Sequence, residues 1–191
     1  MAKAKFDLVI VGVGGQGILL ASKILGRLAM AEGCGVKVSE VHGMSQRGGS
    51  VITHVRVGEA VHAPLVSEGC ADFLVSFEAL EAARAVSFLK PQGVAIVNEQ
   101  RILPMPVITG AMTYPASPLE DLKEYQLESL DALTMALEAG NAKAVNLVLL
   151  GVLSKYLPFS EKAWEEAIFG CVPAKTLALN LTAFEKGRAV S

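Results

Sequence analysis

Two short stretches of this sequence carry the residues best suited to chemistry. Residues 12–17 read GVGGQG and supply Gly12, Gly14, Gly15, Gln16 and Gly17. Glycines let a chain turn tightly and let a ligand or another backbone approach its amides. Where such a turn opens a helix, the unpaired N–H groups and the positive end of the helix dipole favour an anion. Residues 42–49 read HGMSQRGG and add His42, Ser45, Gln46, Arg47 and Gly48. The guanidinium of Arg47 suits two-pronged capture of a phosphate or carboxylate.

These stretches need elements to position them. Residues 6–11 (FDLVIV) form an apolar run that suits a strand buried on both faces. Residues 18–32 read as a helix, and 36–41 alternate like a second strand. Segments 50–57 and 60–66 flank Gly58-Glu59, which predicts an antiparallel hairpin. Residues 72–77 read as a buried strand, 79–89 as a helix, 91–93 as a turn into the strand 94–98, and 107–109 as one more short strand. From Pro118 onward the pattern is helical. Gly140 is expected to stop one helix and Asn141 to cap the next. Ser160 should cap another, with Phe159 and Trp164 at staple positions. A last helix, 175–186, puts Leu177, Leu181 and Phe184 on one stripe. The expected fold is three-layer α/β/α: a mixed, mainly parallel sheet, one antiparallel hairpin and a helical C-terminal third. The chain reads as a single domain, 1–191, sheet-rich over 1–110 and helical over 118–190.

Doubly wound logic places both loops at the carboxyl edge of the sheet, near Glu78 and the pair Asn98-Glu99. Three readings of the glycine loop stand side by side. A dinucleotide-binding enzyme would use Glu40, at the end of the second strand, for a ribose hydroxyl. An adenylating fold would want an Asp-rich strand end and zinc cysteines, and neither is present. A structural role would have the glycines only pack helix on strand and meet a neighbouring subunit. Single residues carry plainer expectations. His42 reads as structural, His54 and Arg56 share one face, and Glu78 and Glu81 complement a helix dipole. Asn146 needs a polar partner in the core.

Composition narrows the field. A net charge of −2 gives no basic surface for nucleic acid or lipid. The most apolar helical stretch, 144–153, is about half the length a membrane span needs. The N-terminal residues lack a signal-peptide core, so a cytoplasmic location is expected. The three cysteines, Cys34, Cys70 and Cys171, are isolated and read as small buried hydrophobes. An iron–sulfur cluster normally takes four thiolates, so this chain is not expected to hold one alone. At 52% hydrophobic residues, either the core is large or a partner covers part of the surface.

Four segments, GVGGQG (12–17), SEVHGMSQRGGSV (39–51), ADFLVSFEALEAAR (71–84) and GNAKAVNLVLL (140–150), resemble in order and spacing the gamma-type domain of 2-oxoacid:ferredoxin oxidoreductases. Within that group the two loops are similar to those of the small, beta, subunits of indolepyruvate:ferredoxin oxidoreductases. The resemblance spans nearly the whole chain and implies oxidative decarboxylation of an aryl pyruvate to an aryl-acetyl-CoA, with electrons passed to ferredoxin. It also implies a large partner subunit holding thiamine diphosphate, magnesium and 4Fe–4S clusters, with CoA as co-substrate. No cofactor and no catalytic residue is then expected on this chain. Its binding candidates are Gly12, Gly14, Gly15, Gln16, Gly17, Ser45, Gln46, Arg47 and Gly48. An apolar patch meant for a partner would favour a homodimer of the isolated chain.

Overall fold

An unbroken run of β-branched and aliphatic residues is stable as a strand only between two covering layers, and residues 6–13 occupy that position. The computed structural model describes residues 4–42 and 48–190. Strand β1 (Phe6–Val13) lies inside a six-stranded sheet of order β2-β3-β1-β4-β5-β6. The other strands are β2 (Gly35–His42), β3 (Ser50–Gly58), β4 (Ala71–Ser76), β5 (Leu89–Asn98) and β6 (Gln126–Leu130). Strands β1, β4, β5 and β6 are parallel, whereas β3 runs antiparallel to both β1 and β2.

Seven α-helices complete the described chain: α1 (Ile18–Ala31), α2 (Ala79–Ala85), α3 (Met105–Ile108), α4 (Ala132–Glu138), α5 (Val145–Ser154), α6 (Glu161–Phe169) and α7 (Leu177–Arg188). Leu8, Ile10, Val55, Val75 and Ile96 face one way and pack with Ile24, Leu28, Leu147, Trp164 and Phe184 in the larger core. Val9, Val11, Leu74, Ala95 and Val97 face the other way and pack with Ala82, Ala85 and Leu122 in a thinner layer. Alternate residues of β1 thus feed opposite cores, as a central strand requires. The expected three-layer α/β/α architecture with a mixed sheet is the one observed.

The hairpin has a different partner from the one the sequence predicts. β3 pairs with β2 across the 43–49 connection, and residues 60–66 form no strand. Both edges of β3 are already taken by β1 and β2, so no third strand can pair with it. Segment 60–66 is instead held by side chains. Arg56 pairs with Asp7 at 2.9 Å and donates to the carbonyls of Ala63 and Leu65. His54 accepts the Val66 amide on Nδ1 at 3.3 Å. His54 and Arg56 therefore do share a face, and there they act structurally.

Four smaller readings also change. A parallel edge strand, β6, lies within the span 118–190 that reads as helical. Residues 107–109 are not a strand, because Val107 and Ile108 belong to α3, where Pro104 and Pro106 preset helical entry. Residues 91–93 lie within β5, whose pairing with β4 shifts register between Ala71 and Phe73. Cys70 is exposed and Cys171 only half-buried, leaving Cys34 as the buried thiol.

The C-terminal helices follow their local signals. Asn141 accepts the Lys143 amide at 2.9 Å, and Ser160 accepts that of Ala163 at 3.2 Å. Phe159 and Trp164 meet edge-on with ring centroids 6.5 Å apart. α5 and α7 touch backbone to backbone: a Cβ on Gly151 would lie 2.1 Å from the Phe184 carbonyl oxygen. No helix among the described residues is long and apolar enough to cross a membrane.

Candidate functional site

β1, β4 and β5 end at one edge of the sheet, where β2 also ends and β3 begins. Register makes this concrete: Val13 pairs with Ser50, and His42 with Val51. The glycine loop and the end of the second loop are therefore neighbours. Gly14 clasps them together, its amide donating to the Gly49 carbonyl at 2.8 Å and its carbonyl accepting the Gly48 amide at 3.4 Å. Those two amides are thereby committed within the protein.

Gln16 also turns inward. Its Oε1 accepts the Val13 amide at 2.7 Å, and its Nε2 donates to the Phe77 carbonyl at 3.0 Å and to Gln100 Oε1 at 3.3 Å. It ties the glycine loop to the ends of β4 and β5 rather than reaching outward. Gly12 is needed for space, since a Cβ there would sit 2.8 Å from the Phe77 Cβ. Gly17 has φ +90°, a conformation that L side chains rarely adopt, and its carbonyl accepts Asn146 Nδ2 at 3.3 Å. The polar partner that Asn146 requires is thus the glycine loop itself.

What remains open is narrower than the sequence suggests. Gly15 is exposed, and the amides of Gly15 and Gly17 have no partner among the described residues. They lie at and just before the N-cap of α1, where an anion is favoured. Ser45, Gln46 and Arg47 lie outside the described residues; Gly48 contributes through its bond to Gly14.

Clefts flank this loop on both sides. One, of about 400 Å³, is lined by Gly14, Gly15, Gly17, Ile18, Leu19, Glu40, His42 and Val51. The other, of about 420 Å³, is lined by Gly15, Gln16, Gly17, Leu20, Gln100, Ile102, Leu133, Ala142, Lys143, Val145 and Asn146. Glu40 borders the first cleft but stands on β2, with β3 between it and β1. Neighbouring strands lie about 4.8 Å apart, so Glu40 is roughly 10 Å from the β1 axis rather than on the adjacent strand. A ribose held at the glycine loop would need the nearer position.

Glu78 is a buried acid with more partners than its sequence position signals. It stands at the helix opening where a carboxylate complements the dipole, and it caps α2 by accepting the Glu81 amide at 2.8 Å. It is also 1% exposed, and its other oxygen accepts the Ile102 amide at 3.0 Å and the Tyr114 hydroxyl at 2.7 Å. Burial, and then the Glu78 carboxylate, push the Tyr114 hydroxyl well above the ordinary phenol range. Glu81 in turn accepts from Ser50 and from Arg84. Asn98 donates to the Phe77 carbonyl at 3.0 Å and accepts the Ala132 amide at 3.1 Å, joining β5 to α4. A polar residue ending a strand was the only signal for these roles. Among the described residues no three His, Cys, Asp or Glu side chains gather to hold a metal. The edge offers hydrogen-bond donors and shape.

The model of the pyruvate ferredoxin/flavodoxin oxidoreductase family matches residues 7–190. An indolepyruvate oxidoreductase subunit IorB of Thermococcus kodakarensis is 45% identical over 192 residues, covering 96% of this chain and 94% of the relative. A keto/oxoacid ferredoxin oxidoreductase gamma subunit from Geobacter sulfurreducens PCA shares the fold, with TM-score 0.72, 24% identity and 95% of each chain covered. The 2-oxoglutarate:ferredoxin oxidoreductase of Magnetococcus marinus shares it too, with TM-score 0.74 and 22% identity. There the fold covers 98% of this chain but 31% of the longer one. The chain therefore belongs to the pyruvate ferredoxin/flavodoxin oxidoreductase family, as a small subunit of a 2-oxoacid:ferredoxin oxidoreductase.

Proposed function

We propose that this chain is the non-redox subunit of a hetero-oligomeric indolepyruvate, or aryl pyruvate, ferredoxin oxidoreductase, and that its glycine-loop edge completes an active-site mouth borne by a larger subunit. The observation that carries the reading is the Gly14 clasp, which joins two donor-bearing loops into one rim. Gly15 and Gly17 offer amides there, and Ser45, Gln46 and Arg47 belong to the adjoining loop. Such a rim suits an anionic group, a phosphate of CoA or a carboxylate of the partner. The Magnetococcus marinus enzyme holds 2-oxoglutarate, coenzyme A and succinyl-CoA, which supports CoA as co-substrate here.

The residues of this chain do not fit the redox groups themselves. Three separate cysteines fall short of four thiolates, and only Cys34 is buried. The 4Fe–4S clusters are therefore assigned to the large subunit, and the thiamine diphosphate and magnesium that the family likeness implies are assigned there as well; together they supply decarboxylation and electron transfer to ferredoxin. The complex is cytoplasmic, in keeping with unpaired cysteines. A self-contained NAD(P)-binding enzyme is not favoured, because β3 separates Glu40 from the glycine-loop strand.

Arg47 provides the test. Losing a guanidinium bonded to an anion typically costs about 1.5–3 kcal/mol, or one to two powers of ten in affinity. If CoA is the anion, Arg47→Ala leaves the complex assembled and raises the KM for CoA while that for the aryl pyruvate barely moves. If a partner carboxylate is the anion, the same change weakens assembly and excess large subunit rescues activity. Arg47→Lys keeps the charge without the planar fork and recovers only part of the loss. Normal assembly with unchanged CoA dependence would remove Arg47 from the site.

A further inference from the structure

Residues 102–114 form a loop closed at both ends by one buried carboxylate oxygen. Glu78 Oε1 accepts both the Ile102 amide and the Tyr114 hydroxyl, while Oε2 caps α2. Inside the loop, Pro104 and Pro106 fix φ, α3 makes one turn, and the Met112 amide donates to the Pro106 carbonyl at 2.9 Å. Arg101 lies over the Tyr114 ring, 5.7 Å from its centre. This segment is braced at several points, yet it turns four large apolar side chains outward. Leu103 is 49% exposed, Met105 66%, Ile108 62% and Met112 65%.

Other large exposed hydrophobes are distributed differently. Met30, Leu65, Leu137 and Phe169 each belong to a different part of the chain, Leu19 lies in the first turn of α1, and Val38 and Val41 share the edge strand β2, so none of these groups is as dense in large side chains. Four within ten residues, on a loop held too firmly to fold them away, indicate a surface kept ready for a protein partner. A preformed loop also loses little freedom when it docks. Its position indicates which partner. Ile102 and Gln100 line the same cleft as Gly15, Gln16 and Gly17, so the loop continues the rim assigned to the large subunit. In the Magnetococcus marinus enzyme, moreover, a domain of this fold is 31% of its chain, joined covalently to its neighbours.

We propose that residues 102–114 are a docking element for the large subunit of the oxidoreductase, with Glu78 as the residue that positions it. This rests on the reading of the chain as one partner of a larger subunit. Leu103, Met105, Ile108 and Met112 supply the buried apolar centre of the contact, and methionines adapt readily to an irregular partner surface. Glu78 touches no substrate; it acts by holding both ends of the loop.

The experiment measures affinity of the purified chain for the large subunit by calorimetry, with wild type, loop variants and surface controls. The double variant Met105→Asp, Met112→Asp should keep the wild-type Tm, since both side chains are exposed, and should bind roughly 30-fold or more weakly, as truncated hot spots do. Controls Met30→Asp and Phe169→Asp should bind as wild type. Tyr114→Phe leaves every apolar side chain in place but removes one bond to Glu78. It should raise amide exchange within 102–114, leave exchange of the β1 and β4 amides unchanged, and weaken binding severalfold. Wild-type affinity in the double variant would overturn the proposal while leaving the functional reading intact. So would a double variant that loses only self-association of the isolated chain, because the occupant would then be a second copy. Absence of any wild-type complex would overturn the functional reading along with it.

Discussion

The side-chain amide of Asn146 reaches across the core to the carbonyl of Gly17, closing a 3.3 Å hydrogen bond between residues 129 positions apart in the chain. It anchors the start of α1 to α5. A Cβ on Gly17 would lie 2.8 Å from the same Asn146 nitrogen, and Gly17 has φ +90°.

Gly17→Ala should therefore destabilise the protein by about 1–3 kcal/mol, from backbone strain together with displacement of Asn146. Asn146→Ala should cost about 1–3 kcal/mol by leaving buried polar groups unpaired. Because the two residues share one contact, the double variant should be less damaged than the sum of the single changes. Urea unfolding of the four proteins in this cycle checks it, and simple additivity would contradict the coupling.

Protonation of His54 should loosen the segment laid over β3. Its Nδ1 accepts the Val66 amide, which requires the neutral ring, and burial lowers its pKa from the ordinary 6.5. Between the folded value and 6.5 the unfolded chain binds more protons, so stability rises with pH across that window. The contribution is complete above the unfolded value and is lost as pH falls through the folded one. Arg56, on the same face, keeps its charge throughout this range, its hydrogen bond to Asp7 raising its pKa further. Tm scans from pH 7 downward should show a steeper fall for wild type than for His54→Asn, which keeps an acceptor without titrating. Parallel curves would remove His54 as the cause.

NAD(P) and FAD should not bind the isolated chain with useful affinity. The carboxylate a ribose would need, Glu40, is on β2, and β3 intervenes before β1. Calorimetry should show no heat of binding. Micromolar NAD binding that disappears in Glu40→Ala would restore the dinucleotide reading.

Elements whose signals are local were legible in the sequence. The β1–glycine loop–α1 unit, the caps at Asn141 and Ser160, and the Phe159–Trp164 staple all depend on residues within a few positions of one another. Features set by the sheet as a whole were not. Gly58-Glu59 has the composition of a hairpin turn, but whether 60–66 can pair depends on which edges of β3 are free. β6 (QLESL) is short and partly exposed at the sheet edge, so it shows no buried apolar run. At the candidate site, the glycines were visible but the inward turn of Gln16 was not, because its partners Phe77 and Gln100 lie 61 and 84 positions away. Glu78 reads as a carboxylate complementing a helix dipole, and nothing in its neighbourhood announces Ile102 or Tyr114 as partners.

We predict that this chain serves an oxidoreductase without being one alone. The most direct measurement is indolepyruvate- and CoA-dependent ferredoxin reduction, assayed with this chain alone, with the large subunit alone, and with the two together. The isolated chain should be colourless with no turnover on any 2-oxoacid, and full activity should appear only when both are present. Turnover by this chain alone, iron and sulfide bound to it in stoichiometric amount, or equal activity of the large subunit without it would show that the chain is not a dependent, non-redox subunit.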